Sequence, residues 1–120
     1  MAVERTLATG EYIFREGESA VYGYVVKTGR IAIVKSGLDG ERVLTELGPG
    51  SLFGEMALID GKPRSAGARA QEESVLTEID SETFNDYISG HPNAARRIMQ
   101  TLVGQIRATN QELAHVISNQ

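Results

Sequence analysis

Short β-prone runs, each closed by a glycine turn, set the strongest limit on what this chain can become. Tyr12-Ile13-Phe14 runs into Gly17, and Tyr24-Val25-Val26 into Thr28-Gly29. Ile31-Ala32-Ile33-Val34 precedes Gly37-Leu38-Asp39-Gly40, and Arg42-Val43-Leu44-Thr45-Glu46-Leu47 ends at Gly48-Pro49-Gly50. Val75-Leu76-Thr77-Glu78-Ile79 supplies a closing strand. The chain's 13 glycines fall repeatedly between such short β-type runs. Short strands separated by Gly, Pro and Asp predict a small antiparallel roll over about residues 10–80.

The pattern changes at Asp80-Ser81. Ser81-Glu82-Thr83-Phe84 offers an N-cap, and Phe84, Tyr87 and Ile88 follow at helical spacing. Gly90-His91-Pro92 breaks that helix, and Pro92 suits the first position of the next. Met99, Leu102, Ile106, Thr109, Leu113 and Val116 then step by threes and fours. This is a heptad seam with one polar member, which covers the roll and offers its second half as a homodimer seam. The expected fold is α+β and mainly β: a jelly-roll-like antiparallel β-roll, with helices over about 81–118, in one domain spanning 1–120.

Composition removes several classes of function. Zero cysteines exclude disulfides and thiolate chemistry and fit a cytoplasmic protein. No apolar run is long enough to span a membrane, and no charged-then-apolar leader is present. A net charge of −4 argues against direct nucleic-acid binding, which needs a basic surface. The two histidines, His91 and His115, lie at a helix corner and on a helix, with no metal-ligand spacing around them. An enzyme is not expected, and no catalytic or metal-binding residue is assigned.

The stretch from Phe53 to Ala70, FGEMALIDGKPRSAGARA, carries the functional signal. It places Gly54 and Glu55 at the start of a short apolar helix, then an Asp60-Gly61 turn, then Pro63-Arg64-Ser65-Ala66. Such a set can surround a sugar phosphate. Backbone N–H groups at a helix start attract an anion, and an arginine fork matches phosphate oxygens. A serine hydroxyl adds a donor, and a glutamate accepts from a ribose hydroxyl. The same residues could form only a Glu–Arg surface pair beside a turn. With FGE, AL, PR and SA in this order and spacing, the stretch resembles the phosphate-binding cassette of cyclic nucleotide-binding domains. That family includes catabolite activator protein, protein kinase A regulatory subunits and cyclic-nucleotide-gated channels.

The resemblance runs from about Gly10 to the C-terminal helix and implies a short cassette helix inside the roll. It also implies roles residue by residue. Arg64 would hold the cyclic phosphate, helped by the Ser65 hydroxyl and the Ala66 N–H. Glu55 would accept from the ribose 2′-OH, and Gly54 would permit close backbone approach. Phe53, Met56 and Leu58 would pack beneath the cassette. Leu44 and Leu47 fall where apolar side chains flank the base, though either could equally belong to the core. Thr109 falls where the family carries a hydroxyl that bonds adenine, with Asn110 beside it; it is also the polar gap in the heptad seam. Arg107 is the candidate for the capping residue that other branches place on this helix. Serine after the cassette arginine is common in cyclic AMP binders and threonine in cyclic GMP binders, so cyclic AMP is expected, with cyclic GMP as the alternative.

Three departures from the family stand out. Ser19-Ala20 replaces Gly-Asp after Glu16-Gly17-Glu18, and few residues precede Gly10. Gly67-Ala68 replaces a bulkier pair and is expected to loosen the cassette's exit. The readings that follow are a regulatory cyclic-nucleotide sensor with the C-terminal helix as lid or dimer element, the sensor half of a Crp-type transcription regulator without its DNA-binding domain, or a ligand-free oligomerisation roll. The downstream protein partner is unknown.

Overall fold

The computed structural model describes residues 3–118, except the side chains at positions 105, 106 and 108–118. Eight strands and three helices follow in chain order: β1 (Val3–Leu7), β2 (Tyr12–Phe14), β3 (Tyr22–Thr28), β4 (Ile31–Gly37), β5 (Gly40–Leu47), β6 (Leu52–Phe53), α1 (Met56–Asp60), β7 (Gly67–Ala70), β8 (Ser74–Asp80), α2 (Ser81–Gly90) and α3 (Pro92–Ser118). The strands form two four-stranded sheets, ordered β1-β8-β3-β6 and β2-β7-β4-β5. All their pairings are antiparallel. This is the β-roll that the glycine pattern predicts, with mostly antiparallel sheets and a few helices. It starts earlier than expected, at Val3, because β1 pairs with β8 from Val3↔Glu78 to Leu7↔Ser74. β1 is exposed except at Leu7, so its sequence carries no apolar run to mark it.

The core lies between the sheets, around Leu7, Val26, Ile31, Leu76 and three aromatic rings. Phe14, Tyr24 and Phe53 form a cluster with ring centroids 5.5–6.0 Å apart, the spacing at which aromatic pairs attract beyond their buried area. Each comes from a different strand: β2, β3 and β6. One turn shows how closely the sheets are joined. Gly29 sits at φ +97° between β3 and β4, and a Cβ there would lie 2.1 Å from Ser74 Oγ. That hydroxyl, fully buried, accepts the Arg30 N–H at 3.0 Å and donates to the Glu72 carbonyl at 2.8 Å.

The expectation of a loose exit at Gly67-Ala68 is not met. β7 is an interior strand, paired with β2 through Ala68↔Phe14 and with β4 through Gly67↔Val34. Ala68 is completely buried, and a Cβ on Gly67 would meet Val34 Cγ2 at 3.2 Å. Large neighbours already fill the space, so small residues are what this strand accommodates.

The chain forms two compact units, Met1–Phe84 and Asn85–Gln120. At the end of the first, Asp80 rather than Ser81 caps α2: its Oδ1 accepts the Thr83 N–H at 2.7 Å, which holds the carboxyl below its ordinary value. Phe84 is buried. In the second unit, His91 stacks on Tyr87 with centroids 4.4 Å apart. Its carbonyl accepts the Ala94 and Ala95 N–H groups where α3 begins. Among the described residues, no helix is long and apolar enough to cross a membrane.

Candidate functional site

β6 delivers the chain to Gly54, whose φ of +72° turns it into α1. A Cβ at Gly54 would lie 2.7 Å from Arg64 Nη1 and 3.2 Å from Phe14 Cε2, so only glycine fits both the conformation and the space. Glu55 caps α1 by position, yet its side chain makes no capping hydrogen bond. The carboxylate is therefore not committed to the helix. α1 ends at Gly61, φ +69°, whose N–H donates to the Ala57 carbonyl at 3.0 Å. Asp60 Oδ1 accepts the Lys62 N–H at 2.9 Å, tightening the return toward Arg64.

The Arg64 backbone is held from both sides by the turn after β2. Its N–H donates to the Glu18 carbonyl at 2.9 Å, and its carbonyl accepts the Gly17 N–H at 2.8 Å. The side chain then runs inward and is only 6% exposed. Nη1 donates to the Gly54 carbonyl at 2.7 Å, and Nη2 donates to the Tyr22 carbonyl. The guanidinium lies over the Phe14 ring, 4.0 Å from its centroid, and 5.9 Å from that of Tyr24. Its Nε is buried without a hydrogen-bond partner. Burial lowers the guanidinium's pKa, against the pull of Tyr24, Glu18 and Glu55; arginine nevertheless stays charged. Among the described residues, no carboxylate pairs with it. A buried cation held only by carbonyls and ring faces has no opposite charge to balance it.

Glu55 faces the opposite electrostatic problem. Burial pushes its carboxyl above the ordinary value, partly offset by its own backbone N–H and by Arg64. Ser65 is exposed and Ala66 half-buried in the bend just before β7. Lys35 of β4 donates from Nζ to the Ser65 carbonyl at 2.7 Å. Of the three residues expected beneath the cassette, Phe53 is buried and Leu58 half-buried against Gly23, where an added Cβ would touch Leu58 Cδ1. Met56 is 46% exposed and does not pack beneath it. Position 56 opens a helix barely longer than one turn, which buries none of its residues completely.

The β4–β5 pairing brings Leu44 forward. Its register runs Ile33↔Thr45 and then Val34↔Val43, so Leu44 is the extra residue of a β-bulge. Bulges re-aim side chains, and Leu44 is 56% exposed, which removes it from the core. Leu47, opposite Ile31, is half-buried against the core cluster. The register carries across this sheet from Val43 through Val34 to Gly67. Two inter-strand steps separate the bulge from the cassette's exit, roughly 10 Å.

A profile of the cyclic nucleotide-binding domain matches residues 4–91. The chain belongs to the cyclic nucleotide-binding domain family. It is 30% identical over 109 residues to a CRP-like cAMP-activated global transcriptional regulator of Mycobacterium tuberculosis, a match covering 90% of this chain and 49% of that protein. The crystal structure of Thermus thermophilus catabolite activator protein superposes with a TM-score of 0.87 at 34% identity, over 96% of this chain and 55% of that one. The cAMP-bound form of an EAL enzyme superposes with a TM-score of 0.72 at 31% identity, over 93% of this chain and 30% of that one. The same enzyme's cGMP-bound form matches with a TM-score of 0.73. The chain spans about half the length of the curated regulators it matches.

Within this cyclic nucleotide-binding domain, Gly54, Glu55 and Arg64 come together directly, with Ser65 and Ala66 following Arg64. Leu44 and Leu47 lie on β5 of the same unit. Arg107 is exposed on α3 in the second unit, whereas the Thr109 and Asn110 side chains lie outside the described residues. Sequence reasoning missed Phe14 beneath the guanidinium and Lys35 beside Ser65. Phe14 reads only as a strand residue, and nothing in local spacing ties it to Arg64. Lys35 could have been flagged as the charge that follows the apolar run Ile31-Ala32-Ile33-Val34.

Proposed function

We propose that this cyclic nucleotide-binding domain acts as a regulatory sensor for cyclic AMP, and that it is a binding module rather than an enzyme. The observation that carries the reading is the buried Arg64 guanidinium with no carboxylate partner among the described residues and an unpaired Nε. A cyclic phosphate would supply the missing negative charge, drawing the guanidinium off the Gly54 and Tyr22 carbonyls, with the Ser65 hydroxyl and Ala66 N–H as further donors. Glu55, uncommitted to its helix, would accept from the ribose 2′-OH. The exposed Leu44 at its bulge and Leu47 would flank the base, and α3 would close over it through Thr109, Asn110 or Arg107. Ligand would then stabilise the closed helix in proportion to its differential affinity for that state.

Cyclic AMP is favoured over cyclic GMP because Ser65 follows the cassette arginine where cyclic GMP binders often carry threonine. The EAL enzyme that resembles this chain is known in both cAMP-bound and cGMP-bound forms. Calorimetric titration with both nucleotides distinguishes them: cyclic AMP binds more tightly in this account, and equal or inverted affinities refute the preference. A second reading is the sensor half of a transcription regulator, favoured by the match along 49% of a CRP-like regulator. Action in the cytoplasm, without membrane or direct nucleic-acid contact by this chain, fits the cysteine-free, acidic composition.

A further inference from the structure

Lys35 has no part in the roles described so far, yet it touches both flanks of Arg64. It projects from β4, and its ammonium donates to the Ser65 carbonyl at 2.7 Å. The same ammonium lies 3.2 Å from Glu16 Oε2. Glu16 is anchored in turn by the Ser36 N–H on its Oε1 at 3.3 Å, and Lys35 and Ser36 together hold its carboxyl below the ordinary value. Glu16 immediately precedes Gly17, whose N–H holds the Arg64 carbonyl. One lysine thus ties the turn before the cassette's arginine to the peptide after it.

Peptide geometry gives that contact a consequence. The Ser65–Ala66 peptide is trans and planar, so its C=O and N–H point in opposite directions. Pulling the Ser65 carbonyl toward Lys35 turns the Ala66 N–H to the other side of the chain. A cation on the carbonyl also draws electron density from the peptide and makes that N–H a better donor. We propose that Lys35 is a positioning residue for the anion site: it fixes and polarises the Ser65–Ala66 peptide so that the Ala66 N–H donates to the phosphate. The proposal rests on the cyclic-nucleotide reading above. Lys35 itself makes no ligand contact in it.

The test compares wild type, Lys35→Met and Lys35→Arg by calorimetry with cyclic AMP, by melting without ligand, and by the NMR shift of the Ala66 amide on saturation. Lys35→Met keeps the aliphatic stem and is expected to lose about tenfold in affinity, near one charge-assisted hydrogen bond. Its ligand-induced Ala66 shift should shrink while the melting temperature without ligand stays within a few degrees. Lys35→Arg, which restores a cationic donor, should recover most of both. Lys35→Met binding as wild type does, with an unchanged Ala66 shift, would overturn the proposal. So would a loss of affinity accompanied by a large drop in melting temperature and no change in the shift. A folded wild type that binds no cyclic AMP defeats the underlying reading, a failure visible without any variant.

Discussion

At the scale of single residues, Arg64 and Glu55 are tuned in opposite directions by the same burial. Arg64 is a cation lacking a carboxylate, and Glu55 is a carboxyl raised above the ordinary glutamate value by desolvation. A raised carboxyl contributes stability that is complete below its unfolded value, and that stability is lost as pH rises through the folded one. Glu55→Gln should therefore be at least as stable as wild type at pH 7 by chemical denaturation. The same variant should bind cyclic AMP about tenfold more weakly, since a neutral acceptor replaces a charged one. Wild-type affinity should also fall as pH drops through the raised value, and Glu55→Gln should abolish that dependence. Lower stability with unchanged affinity would assign Glu55 a structural role instead. These residues were legible because the family's motif is local: Gly54, Glu55, Arg64 and Ser65 lie close along the chain. The ring beneath the guanidinium was not, because Phe14 reaches Arg64 through long-range contacts: the pairing of β2 with β7 and the hydrogen bonds from the turn after β2 to the Arg64 backbone.

At the scale of elements, glycine turns predicted the strands well, and small residues in strands misled. Gly67-Ala68 reads as weakness by propensity, yet β7 lies between two strands whose side chains already fill the space. Ala68→Val should therefore destabilise the roll by about 1–3 kcal/mol through overpacking, measured by denaturant unfolding. A gain in stability would show that the strand is underfilled. Gly29→Ala probes the joint between the sheets. With φ +97° and a Cβ that would meet Ser74 Oγ at 2.1 Å and backbone at 2.6 Å, it should cost about 2 kcal/mol or more. β1 was missed for the converse reason: an exposed edge strand needs few apolar residues and leaves no periodic trace. The Leu44 bulge was equally invisible, since a bulge is a property of register between strands rather than of one strand's sequence.

At the scale of the whole molecule, the chain carries a formal charge of −4 and is proposed to hold an anion. Attraction must then come from buried local donors, which salt screens far less than a surface field. Cyclic AMP at 100 times its dissociation constant should stabilise the protein by about 2.7 kcal/mol, read as a raised melting temperature. The homodimer seam expected from the heptad pattern runs along the second half of α3, where side chains from position 108 onward lie outside the described residues. Solution mass with and without cyclic AMP tests it: a monomer in both states at high concentration would remove the dimer. The central claim is that Arg64 receives the phosphate, and calorimetry of wild type, Arg64→Lys and Arg64→Ala with cyclic AMP tests it most directly. Loss of the two-pronged contact should weaken binding about 100-fold or more in Arg64→Ala. Arg64→Lys should also fail, because it keeps the charge without the fork. Equal binding by a folded Arg64→Ala would contradict the account.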